Sequence, residues 1–336
     1  MTRRAVRGIL ATIGETPLVE LERLSPGRGV RLFAKMEKFN PGGSVKDRSA
    51  LTMLQAKILD GELVPGRSVV VESSSGNFGI GIAQLCRYYG LRFVCVVDAK
   101  TTEQNLTILR AYLAEVEVVT DPDPETGEYL PVRLGRVREL LERIPHSYCP
   151  NQYANPLNPR AHENTMREIV EALDGKVDYL FCATSTFGTM RGAARYVRRQ
   201  GLSTALVAVD AVGSVLFSDE KARRLLPGHG ASVRPPLLDR SMVDDVVLVT
   251  DLDCVVACRT LVIREGILAG GSSGAVVAAV LGYADRIPPG STCALIFPDS
   301  GDRYLDTIYS DDWVSRHFGE VSHLWKDPSG KGADEC

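Results

Sequence analysis

The chain reads as an α/β protein with mostly parallel sheets, and three observations predict it. A β-branched run, a Ser/Thr/Gly/Asn turn and a helix-like pattern follow one another at Ser68–Glu72, SSSGNFG and Ile80–Tyr88. The same succession returns at Val177–Ala183, TSTFGT and Met190–Arg199. Strands that alternate with helices build βαβ units, whose crossovers lay the strands side by side in parallel. The third observation is size: 336 residues, 44% hydrophobic and 24% charged, suffice for two ordinary domains or one large α/β unit with a real core.

Along the chain, MTRRAVRGILATIGETP is basic, but Glu15 and Pro17 break its short apolar stretch. It is too short for a secretory core or a membrane span, and so is the later run Ala275–Leu281. Further strands are expected at Arg92–Val97, Glu115–Thr120, Leu206–Val209 and Cys293–Phe297, with loops at Asp121–Glu128 and Pro227–Pro236. The Pro- and Asn-rich stretch Tyr148–Pro159 suits a crossing between domains, and the chain turns polar from about Lys326. A net charge of −3 gives no field to hold a polyanion, so no nucleic-acid partner is expected. Eight cysteines show no pairing rhythm. Cys95 and Cys182 sit in apolar runs, and Cys254 and Cys258 share a helix face without a His or second pair to complete a zinc set. No metal and reduced thiols in a cytosol are the expectation.

Four junctions bear chemistry. In NPGGSVKDRSA, Gly42 and Gly43 permit a tight turn, Ser44 is placed to cap a helix, and Asp47 falls at capping-box spacing. Lys46 then stands at the second helical position. The helix dipole disfavours a cation there by roughly 0.3–1 kcal/mol, less than one pKa unit of about 1.4 kcal/mol. Desolvation or an imine linkage must do the rest to free the amine; an isolated lysine is otherwise a solvated one. SSSGNFG offers hydroxyls and N–H groups to an anion of carboxylate size, but its spacing does not fit the dinucleotide fingerprint. TSTFGT offers Ser185, Thr186, Gly188 and Thr189 to a phosphate without the lysine of a nucleotide loop, or is simply a well-capped helix. In GGSSGA, Ser272 or Ser273 either caps a helix or meets a buried heterocycle nitrogen.

Taken together, and with IGETPLVEL, NQYANPLNPRAH, VAVDAVGS and FPDSGDRYL, these pieces resemble the fold-type II pyridoxal-phosphate enzymes related to cysteine synthase and cystathionine β-synthase. The resemblance spans Ile13 to Leu305. It implies two three-layer α/β domains, as in the tryptophan synthase β-subunit: residues 1–12 and 35–155 form a smaller mobile one, 13–34 and 156–325 a larger one, and 326–336 a polar tail. It implies pyridoxal 5′-phosphate (PLP) as cofactor, Lys46 as the Schiff-base lysine and proton carrier, Asn77 on the ring oxygen and Ser272 on the pyridine nitrogen. Ser185, Thr186, Phe187, Gly188 and Thr189 would bind the phosphate. Ser74, Ser75, Gly76 and Phe78, with Gln152, would hold the substrate carboxylate. A hydroxyl partner leaves the ring a mild electron sink, suited to prompt loss of a β-substituent.

Departures from the family pattern bear on the nucleophile. Ser74-Ser75-Gly76-Asn77-Phe78-Gly79 stands where cysteine synthases show T-S-G-N-T-G, Ser185-Thr186-Phe187-Gly188-Thr189 where they show G-T-G-G-T, and Tyr153 where Phe is usual. These changes resemble the branch that joins O-phospho-L-serine to L-glutamate on the way to 2,3-diaminopropionate for siderophores and antibiotics. Glutamate needs room, hydroxyl donors and a cation for its carboxylates. Ser185, Tyr153 and Arg133 are the candidates, although Arg133 equally reads as part of a solvated helix face with Arg136 and Arg138. Phe78 has no hydroxyl, so it touches a carboxylate through its N–H or walls the pocket. A cysteine synthase and a catalytically silent ligand sensor on the same fold remain the alternatives. A homodimer acting on small amino acids, with no membrane partner, completes the expectation.

Overall fold

The computed structural model describes residues 5–325, so the polar tail from Lys326 lies outside the described residues. Two sheets organise the chain. A six-stranded sheet holds β1 (Leu18–Glu20), β2 (Arg31–Met36), β7 (Tyr179–Ala183), β8 (Ala205–Ala211), β9 (Asp245–Val249) and β10 (Thr292–Phe297), in the order β1-β2-β10-β7-β8-β9. Only the β1–β2 pair is antiparallel. A four-stranded, wholly parallel sheet holds β3 (Val69–Ser73), β4 (Arg92–Asp98), β5 (Glu115–Val119) and β6 (Ser147–Tyr148), in the order β5-β4-β3-β6. The helices are α1 (Lys46–Leu59), α2 (Asn77–Tyr89), α3 (Glu103–Ala111), α4 (Tyr129–Arg143), α5 (Leu157–Ala172), α6 (Gly188–Gln200), α7 (Asp251–Glu265), α8 (Gly271–Gly282) and α9 (Asp311–Phe318).

Both faces of each sheet are covered, which is why the strands read as unbroken apolar runs instead of alternating ones. In β7, Phe181 joins the core under α7 and α8, while its neighbours Leu180 and Cys182 join the core under α5 and α6. In the smaller sheet, Val70 and Cys95 pack with Met53 of α1 and Ile82 of α2; Val71 and Val94 pack with Val137 and Leu140 of α4. Seven cysteines of the described residues are free thiols, and Cys254 and Cys258 lie buried on one face of α7.

Three local expectations are corrected. The first helix begins at Lys46 itself, and no capping box forms. The Ser44 hydroxyl accepts the Lys46 N–H at 3.2 Å, while Asp47 turns back to accept the Gly42 N–H at 2.5 Å. Ser44 pairs with Asp299 and the Val45 N–H donates to the Pro298 carbonyl at 2.8 Å, so the cap position falls on Val45, already in helical conformation, and the helix starts at Lys46. Neither Ser272 nor Ser273 caps α8, because the cap position falls on Gly270 and both serines are already helical. Phe187, in left-handed conformation with φ 66°, occupies the cap position of α6, so no side chain caps that helix either.

Candidate active site

The carboxyl ends of β3, β7 and β10 open towards one another, the place where α/β sheets receive ligands. Two of the strands run directly into a loop that starts a helix, SSSGNFG into α2 and TSTFGT into α6, while Pro298–Ser300 after β10 bridges Ala269 just before α8. Lys46 at the head of α1 is half-buried among them. Desolvation pulls its ammonium below the usual lysine range, opposed by the charges of Cys182 at the end of β7 and Asp299 at the end of β10. This supplies what the helix dipole alone cannot, an amine that gives up its proton more readily.

The SSSGNFG loop keeps Ser75, Gly76 and Asn77 partly exposed and buries the rest. The Ser74 hydroxyl accepts the Gly79 N–H at 2.9 Å. Phe78 turns its ring into the core of the smaller sheet, so only its backbone faces the loop. In TSTFGT the pattern repeats: the Phe187 ring joins the core under α5 and α6, leaving the loop its backbone donors and the side chains of Ser185, Thr186 and Thr189. Gly188 is required by close approach, since a Cβ there would sit 2.2 Å from Asn158 Oδ1. Asn158 was not anticipated from the sequence. Its Nδ2 donates to the Gln152 carbonyl at 2.7 Å and reaches Thr186 Oγ1 at 3.4 Å, tying the NQY segment to the phosphate-type loop. Its only signal was membership of NQYANPLNPRAH.

Ser272 is buried in the first turn of α8, with its hydroxyl 3.5 Å from where a Cβ of Gly228 would stand. Asp299, also missed although FPDSGDRYL contains it, accepts hydrogen bonds from Asn77 Nδ2 and the Tyr304 hydroxyl. Glu72, the last missed group, accepts the Asn151 N–H at 2.7 Å and that of Ser73 at 2.8 Å. Burial pushes its carboxyl up to about 7 against those bonds and the charge of Arg133.

Arg133 separates from the arginines it was grouped with. It lies on the inner side of α4 at 9% exposure, whereas Arg136 pairs with Glu117 and Glu139, and Arg138 is exposed. Its Nη1 stands 3.3 Å from Asp98 Oδ2 without hydrogen-bond geometry, and its Nε is also without a partner. Tyr153 is close enough for the Arg133 charge to act on its hydroxyl, which burial pushes upwards. A solvated helix face is therefore not where Arg133 lies.

Lys46 lies near enough to Cys182 and Asp299 to feel their charges and Asn77 bonds Asp299; together with the α6 loop and Ser272 they offer donor chemistry that fits a phosphorylated pyridine aldehyde: an amine, an amide, a hydroxyl and a helix start closed by Gly188. The chain belongs to the family described as pyridoxal-phosphate dependent enzyme, whose model matches residues 9–299. It is a PLP-dependent enzyme of the β-replacement kind, of fold type II. Over 311 residues it is 47% identical to the N-(2-amino-2-carboxyethyl)-L-glutamate synthase of Ralstonia nicotianae, covering 92% of this chain and 91% of that one. Among solved structures it is similar to the cysteine synthase of Entamoeba histolytica, with TM-score 0.85, 32% identity and 92% of each chain covered. An O-ureido-L-serine synthase superposes with TM-score 0.84 at 32% identity, covering 93% of this chain and all of that one.

Proposed function

We propose that the enzyme joins O-phospho-L-serine to L-glutamate, releasing phosphate and forming N-(2-amino-2-carboxyethyl)-L-glutamate. The observation that carries the choice of acceptor is Arg133, a buried guanidinium beside Tyr153 that is ion-paired with Asp98 at 3.3 Å but leaves its Nε and Nη1 without a hydrogen-bond acceptor. A buried guanidinium with unused donors is completed by a carboxylate through charge-assisted bonds. Sulfide, the acceptor of a cysteine synthase, has no such group. The named relative supports the same reading.

In this reading, bound PLP supplies the electron sink. The chain's own residues do the remainder. Ser74, Ser75, Gly76, the Phe78 backbone and Gln152 hold the α-carboxylate of the serine-derived substrate. Asn77 and Ser272 fix the ring plane, and residues 185–189 hold the phosphate end. Lys46 takes the α-proton and later returns it. The β-carbon loses its C–O bond as phosphate leaves and gains a C–N bond from the glutamate amine, whose proton passes to solvent. Ser185, Tyr153 and Arg133 orient the glutamate. The family resemblance further carries a cytosolic homodimer whose smaller sheet unit moves, serving 2,3-diaminopropionate supply for a siderophore or antibiotic.

Purified enzyme given O-phosphoserine and glutamate is expected to release phosphate and form a product of the corresponding mass. Arg133→Met should raise the KM for glutamate about 10- to 100-fold, the worth of a hydrogen bond to a charged group, while any turnover with sulfide is kept. No phosphate release with glutamate, alongside turnover with sulfide, overturns the proposal in favour of a cysteine synthase.

A further inference from the structure

Asp299 lies where the two sheet units meet. Only 2% exposed, it follows β10 of the larger sheet, and its Oδ2 accepts from Asn77 Nδ2 at 2.8 Å across the opening and from the Tyr304 hydroxyl at 2.9 Å. Its Oδ1 has no partner and is pressed on Gly270, where an added Cβ would stand 2.0 Å away. The carboxyl group is therefore wedged, and Oδ2 is committed to accepting. An asparagine amide, by contrast, has two nearly isosteric orientations, one presenting oxygen and one presenting NH₂. Facing an oxygen that only accepts, it must present NH₂. That holds whether Asp299 is charged or carries a proton on Oδ1, because Oδ2 accepts in both states.

We infer that Asp299 is a positioning residue, which fixes the amide orientation of Asn77 and so leaves the second N–H of that amide for the cofactor's ring oxygen. The inference rests on the role given to Asn77 above. It assigns Tyr304 a supporting part, since its hydroxyl shares Oδ2, and it gives the isolated bridge between Ser44 and Asp299 a purpose: the same residue anchors the turn before Lys46. Asp299 thereby holds the Lys46 turn through its backbone and the Asn77 loop through its wedged side chain.

The test is PLP binding by the cofactor-free protein, read by titration and by the visible band of the bound cofactor. The variants are Asp299→Asn, Asn77→Ala and the double variant, with unfolding of each cofactor-free protein followed in parallel. Asp299→Asn keeps the shape but accepts either amide orientation opposite it. It is expected to weaken PLP binding by about tenfold, the scale of one charged hydrogen bond, and to shift the visible band, with unfolding of the cofactor-free protein as in wild type. In the Asn77→Ala background the same change is expected to cost less than in wild type, leaving only the loss of the Asp299 charge that acts on Lys46. Asp299→Ser, smaller against Gly270, serves where the asparagine variant does not fold, with the same expectations. Wild-type affinity and band in both Asp299 variants, or losses that simply add in the double variant, overturn the inference. Wild-type affinity in Asn77→Ala overturns the role of Asn77 itself, and this inference with it.

Discussion

Phe78 and Phe187 sit in the SSSGNFG and TSTFGT loops yet send their rings into two different cores. Each therefore anchors its loop from behind, and under the proposed function offers a ligand only a backbone group. Sequence alone placed both residues at the site but gave no direction for their side chains, because a phenyl ring in a glycine- and serine-rich loop walls a pocket or packs a core with equal sense. Gly188 and Asn158 show the same dependence on contact. Gly188→Ala forces a Cβ to within 2.2 Å of Asn158 Oδ1, and Asn158 in turn holds the Gln152 carbonyl. The expected result is a loss of about 1–3 kcal/mol in urea unfolding together with weakened PLP binding. Gly135→Ala in α4, where an added Cβ meets nothing within 4 Å, is expected to gain roughly 0.5–1 kcal/mol. Equal effects of the two changes would contradict the close-packed reading of Gly188.

At the scale of elements, α1 is held to α5 and β2 by charge. Arg48 bonds Glu37 and Glu168, and Lys35 of β2 reaches Glu168 at 2.6 Å, all four side chains being buried. Burial alone would raise the Glu168 carboxyl, but the bonds and charge from Arg48, and then Lys35, hold it at about 2. Breaking a buried pair leaves uncompensated charge, so Glu168→Gln is expected to cost about 3–5 kcal/mol at neutral pH. The folded carboxyl is depressed, so its contribution is present above the unfolded value of 4.5 and is lost as pH falls towards 2. The gap between wild type and Glu168→Gln in urea midpoint should then narrow between pH 4.5 and 2; a gap constant over that range would contradict the assignment. Of these elements the sequence made the strand–turn–helix junctions legible, because β-branched runs and Ser/Gly turns are local signals. Lys35, Glu37 and Glu168 carried no local signal at all. Their partners stand 11 to 133 residues away in sequence, and only the folded chain brings them together. The failed capping box at Ser44 has the same origin: a long-range pairing with Asp299 outcompeted a local bond.

Across the whole molecule, the chain builds two strands of the larger sheet, leaves to make the four-stranded one, and returns to finish the first. The proposed site therefore draws Lys46, Asn77 and Arg133 from the excursion and residues 185–189, Ser272 and Asp299 from the return. Neither sheet unit contains it alone. The α/β class and the named loops were readable because each is local, and the family likeness joined them in order; the wedge at Asp299 and the inward turn of Arg133 were not, since the first depends on contacts between the two sheet units and the second on how α4 packs against the smaller sheet. All of it converges on one amine. Borohydride reduction of the PLP-loaded enzyme, followed by peptide mass analysis, is expected to leave the pyridoxyl label on Lys46 alone, and Lys46→Ala is expected to fold without being labelled or turning over substrate. A label on Lys35 or any other lysine of the native enzyme, or none, would contradict the account.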